Sequence, residues 1–245
     1  MLRALGKLAV TELKLYLREP VAVFFTVGFP LLLEWLNSAN GNKPSPRFGG
    51  SGPLDVTVPG YLAMILATTG LTSLPGLLAG YRERGILRRL AVTPVAPVTL
   101  LVAEVAAHLA VGTLGACVLV GTGMAWFGLH APAAPGALLA AYLLGALALF
   151  AIGFVLAALL PAARTAEAVG LMVFFPMIFL SGAVVPRENL AGPVRWIGDH
   201  LPLALVVKAL RSAWAGGGPG VLTLSGLVAI IVAGTALAAR TFRWE

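Results

Sequence analysis

The side chains best suited to chemistry in this 245-residue chain are the few ionisable groups inside its apolar runs. Glu104 and His108 lie four residues apart, so a helix would place both on one face. The pair could relay protons, or the acid could lie at the membrane boundary and hydrogen-bond the histidine one turn deeper. Glu34 lies beside Trp35, and we expect it at the interface. A charge at the bilayer centre costs about 2.5–3.5 kcal/mol or more, so each is a candidate functional residue.

No catalytic motif accompanies these residues in the sequence. The chain has no phosphate-binding loop G-x-x-x-x-G-K-[ST], no H-E-x-x-H motif and no zinc-type Cys–His spacing. Its single cysteine, Cys117, rules out an internal disulfide. A serine protease motif at Ser181-Gly182 would need glycine where Phe179 stands. We therefore predict that the chain is not an enzyme and holds no catalytic residue, metal or cofactor.

Six phenylalanines could line a path for an apolar substrate. They are Phe24, Phe25 and Phe29 in the first apolar run and Phe174, Phe175 and Phe179 in the fifth. Aromatic side chains also pack against one another in helical bundles, so the sequence leaves both roles open.

The composition requires a membrane to surround most of these residues. Hydrophobic residues make up 59% of the chain and charged residues 11%. A soluble domain carries about 25% charged residues, so this chain lacks the charges to cover a water-exposed surface. Helices satisfy their own backbone groups in lipid, and we therefore predict an all-α, polytopic membrane protein.

The apolar runs predict six membrane-spanning helices in one domain that covers residues 1–245. The predicted spans are residues 21–37, 59–80, 98–127, 137–160, 168–185 and 220–239. Residues 1–19 carry a basic stripe opposite an apolar stripe and predict an interfacial helix. Residues 201–210 are apolar but too few to cross the membrane, so we expect an outer re-entrant helix before the last span.

The basic residues predict the orientation of these spans. The chain carries 17 Lys and Arg against 10 Asp and Glu, a net charge of +7. With the N-terminus inside, 11 basic residues fall in cytoplasmic pieces and 6 in outer pieces. Because basic residues collect in cytoplasmic loops, both termini are predicted to be cytoplasmic. The positive charge is interpreted as membrane orientation, and no nucleic-acid binding is expected.

Two segments resemble those of a known family. Residues 81–94 resemble the cytoplasmic loop of ABC type-2 transporter permeases, the membrane subunits of bacterial drug, antibiotic and polysaccharide exporters. The matching residues are Glu83, Arg84, Gly85, Leu87, Leu90, Thr93 and Pro94. Residues 175–182 and the Leu-Pro-Leu triplet at 201–203 resemble the end of span five and the outer re-entrant helix of that family. The family often has an acid where this chain has Arg88.

The resemblance implies a permease subunit of an ATP-driven exporter in the bacterial inner membrane. Its substrate would be a hydrophobic drug-like molecule, an antibiotic, or a lipid or polysaccharide, with drug-efflux permeases the most similar subgroup. A separate ABC ATPase subunit would hold ATP and Mg²⁺ and dock on residues 81–97. A second permease copy or a paralogue, and membrane lipid, would be further partners. The alternative is a proton-coupled secondary transporter that uses Glu104 and His108.

Overall fold

The computed structural model describes residues 16, 18–39, 41–86, 97–187 and 190–241. Most of the predicted interfacial helix 1–19, and residues 87–96 of the predicted coupling segment, lie outside the described residues. The described ranges contain helices and no strand. In chain order the helices are α1 (Pro20–Ser38), α2 (Pro53–Glu83), α3 (Pro97–Trp126), α4 (Pro135–Leu159), α5 (Ala163–Leu180), α6 (Gly192–Asp199), α7 (Pro202–Trp214) and α8 (Val221–Thr241).

Among the described helices, α1 to α5 and α8 are long and apolar enough to cross a membrane. This confirms the predicted all-α polytopic fold. A short 3₁₀ helix, Pro46–Phe48, lies between α1 and α2. Two of the spanning helices contain a π-helical turn, Phe24–Gly28 in α1 and Thr68–Ser73 in α2.

Proline and glycine explain where the helix ends differ from the predicted spans. Helix α2 begins at Pro53, six residues before the predicted span. Proline has a fixed φ and no N–H to satisfy, which suits the first helical position. Helix α5 runs from Ala163 to Leu180, five residues earlier at each end than predicted. Gly182 follows with a φ of +85°, a conformation that glycine adopts readily and that ends helices.

Helix α2 forms the centre of the bundle and contacts α1, α3, α4, α5 and α7. Neighbouring helices approach its backbone at glycines. A Cβ on Gly153 of α4 would overlap the carbonyl oxygen of Gly70, and one on Gly170 of α5 would overlap that of Leu71. Small residues permit such close helix contact in membranes. Both contacts lie at the π-helical turn of α2.

Because consecutive spans run antiparallel, alternate connections between them lie at opposite ends of the bundle. At one end, here named the α2–α3 face, lie the end of α2, the start of α3, the α4–α5 turn and the start of α1. Arg82 of α2 donates to the carbonyl oxygen of Leu160 there. At the opposite face, Asn42 donates to the carbonyl of Gly128 at 3.0 Å, and the N–H of Ala133 donates to the carbonyl of Trp214 at 3.0 Å.

Two short helices lie at the opposite face, where the sequence predicted one. Helix α6 ends at Asp199 and α7 begins at Pro202. Proline disfavours a helical conformation at the residue before it, which accounts for the break. Helix α7 packs against α2, α4 and α8 and buries most of one side, including Leu203 and Trp214. Its 13 residues extend about 20 Å, short of the roughly 30 Å hydrocarbon core.

Candidate functional site

A cavity of about 460 Å³ lies between α1, α2, α3 and α5, in the half of the bundle nearer the α2–α3 face. Apolar side chains form most of its wall, among them Leu77, Val111 and Leu171. Arg18, Glu19 and Glu167 add charges, and all three side chains are exposed. The cavity therefore combines an apolar interior with a charged rim.

The two π-helical turns border this cavity. The Oγ1 atom of Thr68, in the turn of α2, lies 3.5 Å from the carbonyl oxygen of Phe25 in the turn of α1. Thr68, Thr72 and Ser73 all line the cavity. π-Helical turns inside α-helices frequently mark functional sites. Here they direct three hydroxyl-bearing residues of the central helix toward an otherwise apolar space.

Tyr16 lies at the entrance to α1 and adds another hydroxyl to the lining. Its side chain is buried, and its hydroxyl forms a hydrogen bond with Thr26. The Tyr16 ring stands edge-on to the His108 ring, with centroids 6.2 Å apart. Burial raises the pKa of Tyr16 above its usual range, an effect that the hydrogen bond to Thr26 only partly offsets. The hydroxyl therefore stays neutral.

Five of the six candidate phenylalanines form one aromatic cluster between α1 and α5. The Phe25 ring of α1 contacts Phe174 and Phe175 of α5, with ring centroids 5.9 and 5.7 Å apart. The same ring also contacts Phe24 and Phe29 within α1. Phe25 and Phe174 also line the cavity. Phe179 lies one turn beyond Phe175, where 43% of its surface is exposed. The aromatic residues thus both pack together and border the cavity.

Glu104 and His108 are both buried on α3, and the histidine ring lies closer to the backbone carbonyl of Glu104 than to its carboxylate. The His108 ring nitrogen Nδ1 lies 2.9 Å from the backbone carbonyl oxygen of Glu104 and 3.9 Å from its carboxylate. The carboxylate accepts a hydrogen bond from Tyr81 of α2 at 2.9 Å. The acid therefore joins α3 to α2, while His108 lines the cavity.

The described start of the predicted coupling segment is fastened to the turn between α4 and α5. The Arg82 guanidinium donates to the carbonyl oxygens of Ala158, at 3.3 Å, and Leu160. Glu83 accepts a hydrogen bond from the N–H of Ala163 at 3.1 Å. These bonds satisfy backbone groups at the end of α4 and the start of α5 that the helices leave open. We name Arg82 and Glu83 the clamp.

Gly85 follows the clamp with a φ of +65°. Only glycine, and less readily Asn or Asp, adopts this left-handed conformation without strain. Arg84, between the two, is exposed. The remaining candidate coupling residues, Leu87, Leu90, Thr93 and Pro94, lie outside the described residues.

Glu34 faces a neighbouring helix. Its side chain is fully buried, and Oε2 accepts a hydrogen bond from the Thr122 hydroxyl of α3 at 2.9 Å. Gly123 makes the room, because a Cβ there would overlap the other carboxylate oxygen, Oε1. The neighbouring Trp35 is 60% exposed. The prediction of an interfacial position used the position along the helix, and it did not indicate that this side chain faces α3.

Charged residues at the opposite face form a small network around α6 and α7. Asp199 pairs with Arg187 and lies 3.4 Å from the Lys208 ammonium. Partial burial would raise the pKa of Asp199, but the hydrogen bond from Arg187 and the charge of Lys208 outweigh it and lower the pKa below its usual range. Arg211 donates to the carbonyl of Gly182 at 3.0 Å. The network ties the two short helices to the end of α5.

Two residues of the site escaped the sequence reading. Glu167 lay one position before the predicted span, so its place on α5 was not considered. The signal was present, since Leu171 and Phe174 follow it at four and seven residues and share its helix face. Arg82 was counted only as a basic residue of a loop, and no sequence pattern indicated its backbone partners.

A bundle of apolar spans around a buried central helix, with a cavity near one face, defines this chain as a polytopic helical membrane protein. The family model for the ABC-2 type transporter matches residues 5–214, and the chain therefore belongs to the ABC-2 type transporter family. It is the membrane-embedded permease subunit of an ABC transporter. No curated protein matches the chain.

Proposed function

We propose that this chain, as one transmembrane domain, is the permease of an exporter driven by a separate ABC ATPase. It would move a hydrophobic or amphipathic substrate out of a bacterial cell, as drug-efflux permeases do. The α2–α3 face would lie in the cytoplasm, and ATP and Mg²⁺ would bind to the partner subunit. A second copy or a paralogue would complete the transporter within the lipid bilayer.

The clamp is the observation that best supports this proposal. A movement delivered to residues 81–97 by an ATPase must reach the spans to have any effect. Arg82 and Glu83 join the start of that segment to the ends of α4 and α5 through three hydrogen bonds. Hydrogen bonds to charged side chains are stronger than neutral ones, so displacement of the segment would pull on both helices. Helix α2 would carry the same displacement into the centre of the bundle.

The cavity supports a route for the substrate. It borders the aromatic cluster of α1 and α5, and its volume of about 460 Å³ falls within the range of about 300–1,000 Å³ for small-molecule sites. We propose that Phe25 and Phe174 contact the substrate and that Phe24, Phe29, Phe175 and Phe179 extend the apolar path along the same helices. Apolar side chains that are exposed on α1 and α8 would face lipid or a second permease copy.

The coupling segment is tested at Gly85. Gly85→Asn retains access to the left-handed conformation, whereas Gly85→Val does not. Neither substitution changes the charge, and apart from the two chain neighbours of Gly85 no described residue lies within 4 Å of a Cβ placed there. We expect Gly85→Val to lose copurification of a co-expressed ABC ATPase from the same genome and Gly85→Asn to keep it. ATP hydrolysis and dye accumulation in inside-out vesicles should follow the same order.

A loop that only anchors the chain by its positive charge predicts no difference between these two variants. Normal copurification and normal ATP hydrolysis with Gly85→Val would therefore contradict the coupling role. Orientation is tested separately after replacing Cys117 with Ser. A cysteine at residue 43 should react with an impermeant thiol reagent in intact cells, and one at residue 84 should not.

The alternative of a proton-coupled transporter is tested with a protonophore. The Glu104 carboxylate is engaged by Tyr81 and the His108 ring nitrogen by a backbone carbonyl, an arrangement that favours a structural role. We expect transport to continue when the proton gradient is collapsed at constant ATP. Loss of transport under that condition, together with its loss in Glu104→Gln, would favour the proton-coupled alternative.

A further inference from the structure

We propose that the cavity between α1, α2, α3 and α5 binds an amphipathic organic cation, with Glu167 holding the positive charge and Phe25 and Phe174 holding the apolar part. This inference rests on the proposed function, because it names the substrate class of the same permease. It concerns binding alone and requires no ATPase.

The charged groups of the described lining favour a positive ligand. Glu19 and Glu167 supply two carboxylates, and Arg18 supplies one guanidinium. In the whole chain basic residues outnumber acidic ones by 17 to 10, so this lining reverses the overall balance. A cation would meet a favourable potential at the rim of the cavity, and an anion an unfavourable one.

Gly76 leaves room for the Glu167 side chain to lie against the central helix. A Cβ on Gly76 of α2 would lie 2.5 Å from Cγ and 2.9 Å from Oε1 of Glu167. Any larger residue at position 76 would therefore displace the carboxylate. Because one side of the cavity is protein, a charge there interacts more strongly with a ligand than it would in bulk water.

The apolar part of the ligand would lie deeper along α5. Glu167, Leu171 and Phe174 share one face of that helix, and seven residues separate the carboxylate from the ring by about 10 Å along the axis. Phe174 is fully buried and packs edge-on against Phe25, which also lines the cavity. Aromatic faces attract cations and bury apolar groups. The site thus fits a drug-sized molecule that carries one positive charge on an aromatic body.

Two probes of the same shape and opposite charge test this assignment. Tetraphenylphosphonium is a permanent cation, and tetraphenylborate is its anionic counterpart. We would measure binding of each to purified permease in zwitterionic nanodiscs without an ATPase, and subtract binding to empty discs. We expect the cation to bind and the anion to bind at least about tenfold more weakly, which corresponds to about 1.4 kcal/mol.

Variants then assign the charge preference to Glu167. Glu167→Gln should weaken cation binding about tenfold, the effect of about 1.4 kcal/mol expected for one charge in partly exposed surroundings. Glu167→Asp should retain most of the affinity, because it keeps the charge. Asp55→Asn, at the opposite face, changes the net charge equally and should leave binding unchanged. Phe174→Leu should weaken both probes.

Equal binding of the two probes, or cation binding that Glu167→Gln leaves intact, would overturn the assignment. Each variant is checked by size-exclusion chromatography, and Glu167→Asp guards against a loss of binding through misfolding. Failure of the binding test would leave the ATPase copurification at Gly85 untouched. Failure of that copurification would conversely leave the binding result standing, so the two proposals can fall separately.

Discussion

Helices α2 and α8 show that hydrophobicity and burial need not go together in this bundle. In the most apolar stretch of α2, 83% of the residues are buried within the protein, against 11% in α8, although α8 has the higher mean hydropathy. Lipid solvates apolar side chains as well as a protein interior does, so hydrophobicity alone does not drive a helix into the centre. Helix α2 is buried because α1, α3, α4, α5 and α7 surround it.

The side chains of the two helices fit this explanation. Thr68, Thr69 and Thr72 of α2 each donate to a backbone carbonyl of their own helix three or four residues earlier. Such bonds let polar residues enter an apolar interior. Helix α8 instead exposes large apolar residues such as Leu222 and Val232, which suit lipid or a partner. Apolar content therefore does not determine which of the two helices is central.

The largest expected effect follows from filling one of the glycine contacts with α2. Gly170→Val would drive a branched side chain into the carbonyl of Leu71 in the central helix. Overpacking costs about 1–3 kcal/mol or more, and a backbone cannot rotate away as a side chain can. We expect little folded protein and a clearly lower Tm in detergent. Gly121→Val, on α3, is the matched control, because a Cβ there has no described neighbour from another helix within 4 Å.

A Gly170→Val protein with the Tm of the Gly121→Val control would contradict this account of the central helix. It would mean that α5 can move outward at little cost. A substitution that enlarges an exposed residue of α8, such as Val232→Leu, extends the comparison. We expect no measurable change in Tm, since Val232 is 63% exposed.

The sequence predicted the spans of this bundle more reliably than their arrangement. Apolar runs and helix-starting prolines located the spans, because length and composition are local properties. Whether the Glu34 side chain faces α3 depends on how the helices pack. The partners of Arg82 across the α4–α5 turn depend on packing in the same way. The π-helical turns also had no local signal, since Thr68 to Ser73 reads as an ordinary apolar helix with hydroxyl residues. The phenylalanine cluster lies between these cases, because composition suggested the residues but only packing joined them.

The clamp at the end of α2 gives the next largest expected effect. Arg82→Gln removes the charged donor from the carbonyls of Ala158 and Leu160. Hydrogen bonds to a charged group contribute about 1.5–3 kcal/mol when buried and less when partly exposed, so the protein should still fold. We expect ATP hydrolysis by the assembled transporter to persist while transport per ATP falls. Arg164→Gln is the control, with the same loss of charge at an exposed residue of the same face.

Equal transport per ATP in the two arginine variants would show that the clamp does not transmit movement. A loss of transport in both would instead point to a general need for positive charge at this face. Glu83→Gln sharpens the result, because its amide oxygen can still accept from the N–H of Ala163. It should therefore behave more like wild type than Glu83→Ala.

A smaller effect is expected at Glu34, which tests whether a buried acid helps to fix α1 against α3. The carboxylate oxygen Oε1 has no hydrogen-bond partner among the described residues. The Thr122 hydroxyl keeps the carbonyls of Val118 and Leu119 as partners if the acid is lost. Replacing a buried ionisable group by an apolar one of similar volume is often neutral or stabilising. Glu34→Met should therefore leave the Tm unchanged or raise it, and a marked fall would show that the acid fixes α1.

The smallest expected effect lies at the network that supports α7, the short helix between α2 and α8. The lowered pKa of Asp199 means that the folded protein favours the ionised carboxylate. The resulting stabilisation is present above the ordinary aspartate pKa and is lost as pH falls through the pKa of Asp199 in the folded protein. We expect wild type to have a slightly higher Tm than Asp199→Asn, with a gap that is constant above about pH 5 and closes below about pH 4. Exposed ion pairs contribute little and are screened by salt, so the gap should also narrow at about 1 M NaCl. A gap that stays constant down to about pH 3 would show that packing of the side chain, and not its charge, connects α6 to α7.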